Sequence, residues 1–165
     1  MDKYRLEPEG DMFRVYALKA VRHDVGIGTK GGLVSGPQAL SQHGDCWVYD
    51  RAVVYGQAVV SGQAVVSGQA RVSGQAEVSE QAEVCGRARI YNTEHVVCIA
   101  PVGSEQGVLT LYRTDTGAEI TRGCFKGTPE EFYDMVKEKA EQSTYRVQYE
   151  ALFPFISYTV DSFRP

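Results

Sequence analysis

The stretch Ala52-Val53-Val54-Tyr55-Gly56-Gln57-Ala58-Val59-Val60-Ser61-Gly62-Gln63-Ala64-Val65-Val66-Ser67-Gly68 decides the fold. Its six-residue unit runs from Asp45 to Cys98: Cys46-Trp47-Val48 leads in, and the units at Ala70, Ala76, Ala82, Ala88 and Glu94 complete nine hexads. Each reads small-x-aliphatic-x-Gly-x. The two restrained positions are two apart, so on an extended strand they point one way and their neighbours the other. That puts Ala58, Val60, Ala76 and Val78 inside. One short strand cannot bury its apolar face alone; three strands make a triangular coil of about 18 residues, and stacked coils share a core. Nine hexads give three coils. The corners carry Gly44, Asp50, Gly56, Gly62, Gly68, Gly74, Gly86 and Asn92, residue types that accept positive φ, with Glu80 the exception. A glycine at six of the nine corners and a period of six argue against a coiled coil or an amphipathic helix.

The pattern resembles the hexapeptide repeat of left-handed parallel β-helices, with Ser or Tyr often standing where that family commonly has Gly. The expected fold is mainly β: a parallel, left-handed β-helix over 45–98, an N-terminal hairpin and Gly-rich cap over 1–44, and a small α+β unit over 99–165.

Residues 18 apart should stack, which turns the repeat into a surface map. One face shows Trp47, Val65 and Glu83; the next Val53, Arg71 and Arg89; the third Val59, Glu77 and His95. The first coil then exposes Trp47, Tyr49, Val53, Tyr55 and Val59, a patch that needs a cover. The chain's own N-terminal segment is one cover. A second subunit is the other, making Trp47, Tyr49, Val53, Val59 and Val65 the interface of a dimer or trimer. Stacking also gathers Tyr55, Arg71, Arg89 and Tyr91 into a basic and aromatic column, a candidate binding surface. Glu77, Glu80 and Glu83 fall on different faces or corners and form no acidic ladder. No Thr lies between Asp45 and Asn92, which excludes an ice-binding face.

On the N-terminal side, Tyr4–Leu6 and Met12–Val21 read as two strands about the turn Pro8-Glu9-Gly10-Asp11. Gly26-Ile27-Gly28-Thr29-Lys30-Gly31 fits G-x-G-x-x-G, but no helix pattern follows to cradle a phosphate, so a Gly-rich connection is expected. On the C-terminal side, 108–113 and 118–122 flank a hairpin turn at Asp115-Thr116-Gly117. Thr128-Pro129-Glu130-Glu131 is a helix start, and apolar spacing carries that helix from about Pro129 to Gln142. Tyr149, Leu152, Phe153 and Ile156 mark a second helical face that Pro154 interrupts.

Gly31-Gly32-Leu33, the segment Leu40 to Tyr49, the tandem hexads and Ile120-Thr121-Arg122-Gly123-Cys124-Phe125-Lys126-Gly127-Thr128-Pro129-Glu130-Glu131-Phe132 together resemble a group of phage and prophage proteins. In these a hexapeptide solenoid sits between a short N-terminal region and a small C-terminal domain. The resemblance implies an accessory role, often counter-defence.

The chain has 165 residues, 21 acids against 17 bases and a net charge of −4, which removes the general attraction to nucleic acid. No apolar run is long enough for a membrane span and Met1–Glu7 has no apolar signal core, so a cytoplasmic protein is expected. Cys46, Cys85, Cys98 and Cys124 form no C-x-x-C pair and read as free thiols, with no metal and no cofactor implied. The enzymatic alternative is a hexapeptide-repeat acyltransferase using acyl-CoA, with His95 beside Glu94 as base. Glu94 has a blander reading, closing the core where the repeat ends. Basic neighbours could activate Cys124, but a small residue at a strand end accounts for it. The sequence thus favours a non-catalytic binder of a host defence protein or a small nucleotide signal.

Overall fold

The computed structural model describes residues 1–49, 51–139 and 143–163. Nearly every hexad is a two-residue strand. The first coil is β4 (Trp47–Val48), β5 (Val53–Val54) and β6 (Val59–Val60); the second is β7 (Val65–Val66), β8 (Arg71–Val72) and β9 (Glu77–Val78). The third has β10 (Glu83–Val84) and β11 (Arg89–Ile90). All pairing between coils is parallel and offset by 18: Trp47 to Val65 to Glu83, Val53 to Arg71 to Arg89, Val59 to Glu77. The protein is a parallel β-helix of three coils. Its inward Ala and Val residues, Ala58, Val60, Ala76 and Val78 among them, are 0–1% exposed. Burying each valine is worth roughly 1.5–3 kcal/mol.

The corners explain the glycine phase. Gly44, Gly56, Gly62, Gly68, Gly74 and Gly86 all have φ between 61° and 69°. At Gly44 a Cβ would lie 2.2 Å from the Gly62 carbonyl oxygen of the next coil, so space as well as φ demands glycine there. Glu80 adopts the same left-handed conformation, at φ 55°, against the preference of an L side chain. Asn92 does not take the expected corner: its φ is −143° and its side chain caps a 3-10 turn over Thr93–His95. The ninth hexad is therefore that turn and not a strand. Glu94, expected to close the core, is exposed.

The N-terminal region adds strands to the solenoid. β1 (Tyr4–Glu9) and β2 (Met12–Ala17) form the expected hairpin, and β3 (Lys30–Val34) pairs antiparallel with β2 and parallel with β5. One sheet thus runs β1-β2-β3-β5-β8-β11. Leu40 bridges to Val60, so solenoid pairing begins ahead of residue 45. Gly31, read as part of a loop, lies in β3 against the Trp47 ring, where a Cβ would come within 2.8 Å of the Val48 carbonyl. Trp47, expected on an exposed face, is 0% exposed, because the chain's own N-terminal segment covers it. Lys3 and Tyr4 plug this end. The Lys3 ammonium donates to the Cys46 carbonyl at 3.0 Å and the Gly44 carbonyl at 3.3 Å, and contacts Cys46 Sγ at 3.1 Å.

The C-terminal unit is a second core. An antiparallel sheet β12 (Val96–Val102), β13 (Gly107–Arg113), β14 (Ala118–Arg122) and β15 (Phe125–Gly127) packs on α1 (Pro129–Lys137) and α2 (Thr144–Ser162) around Leu109, Leu111, Ile120, Phe132, Val136 and Ile156. Thr128 and Glu131 complete the capping box at the start of α1. α1 ends at Lys137, short of the expected Gln142; residues 140–142 lie outside the described residues, as does Asp50. Pro154 sits within a continuous α2 and does not interrupt it.

This unit seals the far end of the solenoid mainly with side chains, beside one antiparallel bridge from Thr114 to Ala88 and the Asp115 N–H donating to the Arg87 carbonyl at 3.3 Å. Thr110 Oγ1 accepts from the Glu83 N–H at 3.1 Å and Thr121 Oγ1 donates to the Glu83 carbonyl at 2.8 Å, standing in for a missing strand. Thr93 Oγ1 accepts from the Glu77 N–H at 3.2 Å in the same way. Tyr112, 0% exposed, joins the solenoid core as its plug.

Candidate functional site

The face carrying β4, β7 and β10 is covered at both ends and open in the middle. Over β4 lies the turn Arg22–Val25, tied down by Arg22, which donates to the carbonyls of Asp45 and Gln63 at 3.2 and 3.3 Å. Over β10 lies the β12–β13 hairpin. Between them is a cleft of about 710 Å³, within the range of small-molecule sites. Gln63, Val65, Ser67, Gln81 and Glu83 form the floor; Arg22, His23, Asp24 and Tyr49 form one wall, and Glu105, Gly107, Val108 and Arg122 the other.

The two walls differ in charge balance. At the N-terminal wall Tyr49 donates to Asp24 at 2.6 Å. Burial and that bond push the Tyr49 phenol up to about 12, while the same bond holds Asp24 below the usual carboxylate range. That pair is internally satisfied. At the C-terminal wall the Arg122 side chain is only 8% exposed. One of its terminal nitrogens donates to the Val102 carbonyl at 2.6 Å, and Nε is buried with no hydrogen-bond partner among the described residues. Its ion partner is Glu105, 3.9 Å away and 80% exposed. A nearly buried cation is thus balanced by a distant carboxylate that lies in solvent.

The expected column on the neighbouring face is split. Tyr55 and Arg71 are exposed, as the surface map requires. Arg89 turns along the corner to donate to the carbonyls of Gln69 and Ala88, at 2.9 and 2.8 Å. The Tyr91 ring lies under the Arg113 guanidinium at 4.8 Å and edge-on to His95 at 4.3 Å. Two of the four residues therefore have structural duties. Of the expected interface, Val53, Val59 and Val65 are half-buried and Tyr49 is committed to Asp24; Trp47 is withdrawn from the surface altogether.

His95 accepts from the Tyr91 N–H through Nδ1 at 3.3 Å and packs against Phe163. Burial, then the Arg113 charge, holds its pKa below the usual histidine value. The thiols of Cys46, Cys85, Cys98 and Cys124 are all free; Cys46 is buried, whereas Cys98 and Cys124 are exposed. Among the described residues no group of three or more His, Cys, Asp and Glu side chains could hold a metal, and no helix is long and apolar enough to cross a membrane.

Sequence reasoning passed over Arg122 because it reads as a strand-end residue beside Cys124, and nothing local places it opposite Arg22. A comparison with known protein families and with curated proteins finds no match to this chain.

Proposed function

We propose that the protein is a non-catalytic accessory binder, of the phage and prophage kind that its hexads and flanks resemble, acting by capture of a small anionic ligand in the cleft. Arg122 carries this reading. A ligand phosphate or carboxylate entering the cleft would displace Glu105 and give the guanidinium a close counter-charge, and charge-assisted bonds of this kind contribute about 1.5–3 kcal/mol. Glu83 and the floor amides would accept from and donate to ligand hydroxyl and amino groups. A nucleotide signal of the host has this combination of groups. Capture of such a signal, or of a host defence protein on the exposed Tyr55–Arg71 face, would serve counter-defence.

Titration calorimetry with mono- and dinucleotides as probes, together with native mass spectrometry of protein purified from cells, tests the reading. Arg122→Gln is expected to weaken binding by about 10- to 100-fold. Glu105→Gln, which removes the competing carboxylate from an exposed position, is expected to tighten it. The opposite sign for Glu105→Gln sinks the anion assignment. Acyl transfer from acyl-CoA that disappears in His95→Ala would establish the acyltransferase reading instead.

A further inference from the structure

We infer that the protein is a homodimer joined by α2 packed antiparallel on the α2 of a second copy. The helix has an apolar side too many. Tyr149, Ile156 and Phe163 face the C-terminal core, yet on the opposite side Val147, Phe155 and Tyr158 are 57%, 45% and 75% exposed. With Ala151 between them, these residues recur at spacings of four, four and three, a single stripe along the helix. A helix apolar on both sides belongs between two layers, and among the described residues only one layer is present. α1 shows the contrast: Phe132 and Val136 are buried, whereas Glu130, Asp134 and Lys137 are exposed.

The stripe is complementary to itself. In an antiparallel pair centred on Ala151, Val147 of one copy meets Phe155 of the other, and the two Ala151 methyls meet on the twofold, where a small side chain lets the helices approach. In the same register Tyr158 reaches the level of Thr144 in the second copy. A hollow of about 480 Å³ is present there, lined by Pro101, Thr144, Tyr145, Val147 and Gln148. The most exposed aromatic ring of the helix and the hollow that would receive it therefore lie at equal distances from the centre.

The charges do not select a different partner. Arg146 and Glu150, the charged pair in the first half of α2, are bound to each other at 2.7 Å, and Asp161 beyond Tyr158 is engaged as well, so the stripe presents no free charge for an oppositely charged protein to read. The area is sufficient. Taking about 150–250 Å² for a whole aromatic side chain, Tyr145, Val147, Phe155 and Tyr158 together leave roughly 400 Å² exposed per copy. Doubled about the twofold, and with apolar surface making up a little over half of an interface, this corresponds to roughly 1,400 Å², a standard stable interface.

Sedimentation velocity and light scattering over a wide concentration range give the mass, and Phe155→Asp with Tyr158→Asp is expected to convert a dimer to a monomer with unchanged circular dichroism. The register is tested by Ala151→Cys in full-length protein with Cys98→Ser and Cys124→Ser: mild oxidation is expected to link two copies through position 151. Because a disulfide at position 151 forms only if the two sites meet, it separates this interface from any loss of folding in the aspartate variant. A wild-type monomer at all concentrations, or a dimer that survives both aspartates and fails to cross-link at 151, overturns the proposal. So does a dimer abolished by Val59→Glu alone, which would move the interface to the solenoid.

Discussion

The two ends of the solenoid solve one problem in opposite ways. Each exposes strands whose backbone groups need partners and a core that needs a lid. At the N-terminal end the chain supplies more backbone: β3 pairs with β5, β2 with β3 and β1 with β2, so cap and coils share one sheet and one core. At the C-terminal end it supplies mainly side chains, with Thr110, Thr121 and Thr93 meeting the last rungs beside one short backbone bridge, while the unit keeps a core of its own. A cap built by strand addition should unfold with the coils. One attached by a few hydroxyls, Tyr112 and a single backbone bridge between Ala88 and Thr114 can loosen separately.

The largest effect that would break this comparison belongs to Trp47. Trp47→Ala empties the contact between β3 and the first coil and is expected to cost roughly 3–5 kcal/mol, read as a shift of the whole denaturation curve. If only residues 1–44 lose hydrogen-exchange protection while the coils keep theirs, the N-terminal cap is a separate unit after all. A smaller effect is expected at the other end. Thr121→Val removes the donor to the Glu83 carbonyl and should cost about 1–3 kcal/mol, with exchange rising at Glu83–Cys85 and in β14 before it rises in the coils. Uniform loss across the molecule would show the two ends to be equally integrated. The smallest change sharpens the comparison from the middle. Glu80→Gly relieves the left-handed conformation of an L residue, and its melting temperature is expected to rise by an amount equivalent to about 1 kcal/mol.

The coils were legible because each hexad repeats the same instruction, inward Ala and Val followed by a glycine corner. What escaped was written once, or at a distance. Gly31 and Gly32 signal a loop by residue type, yet both lie in β3 because the strand passes too close to the Val48 and Ala52 carbonyls to admit a Cβ. The surface map counted Trp47 as exposed because it treated the coils as bare. Glu94 was the available warning that the repeat stops, since an acid cannot occupy an inward position unpaired. Pro154 misled because a ring within a helix removes one bond without ending it when both flanks are packed, as Tyr149, Ile156 and Thr159 are. The cleft had no local signature: its walls come from residues about 100 positions apart in the chain, brought together only by stacking.

Stacking also makes the cleft a gauge. Apart from Tyr49 of the first coil, its walls belong to the two caps and its floor to the coils, so the separation of Arg22 from Arg122 is set by how many rungs lie between them. Removing or adding one 18-residue coil would move the walls by one strand spacing, about 4.8 Å, without altering a residue in either wall. A lineage carrying this architecture can therefore resize its site by recombination between near-identical hexads, a change of length in place of a change of chemistry.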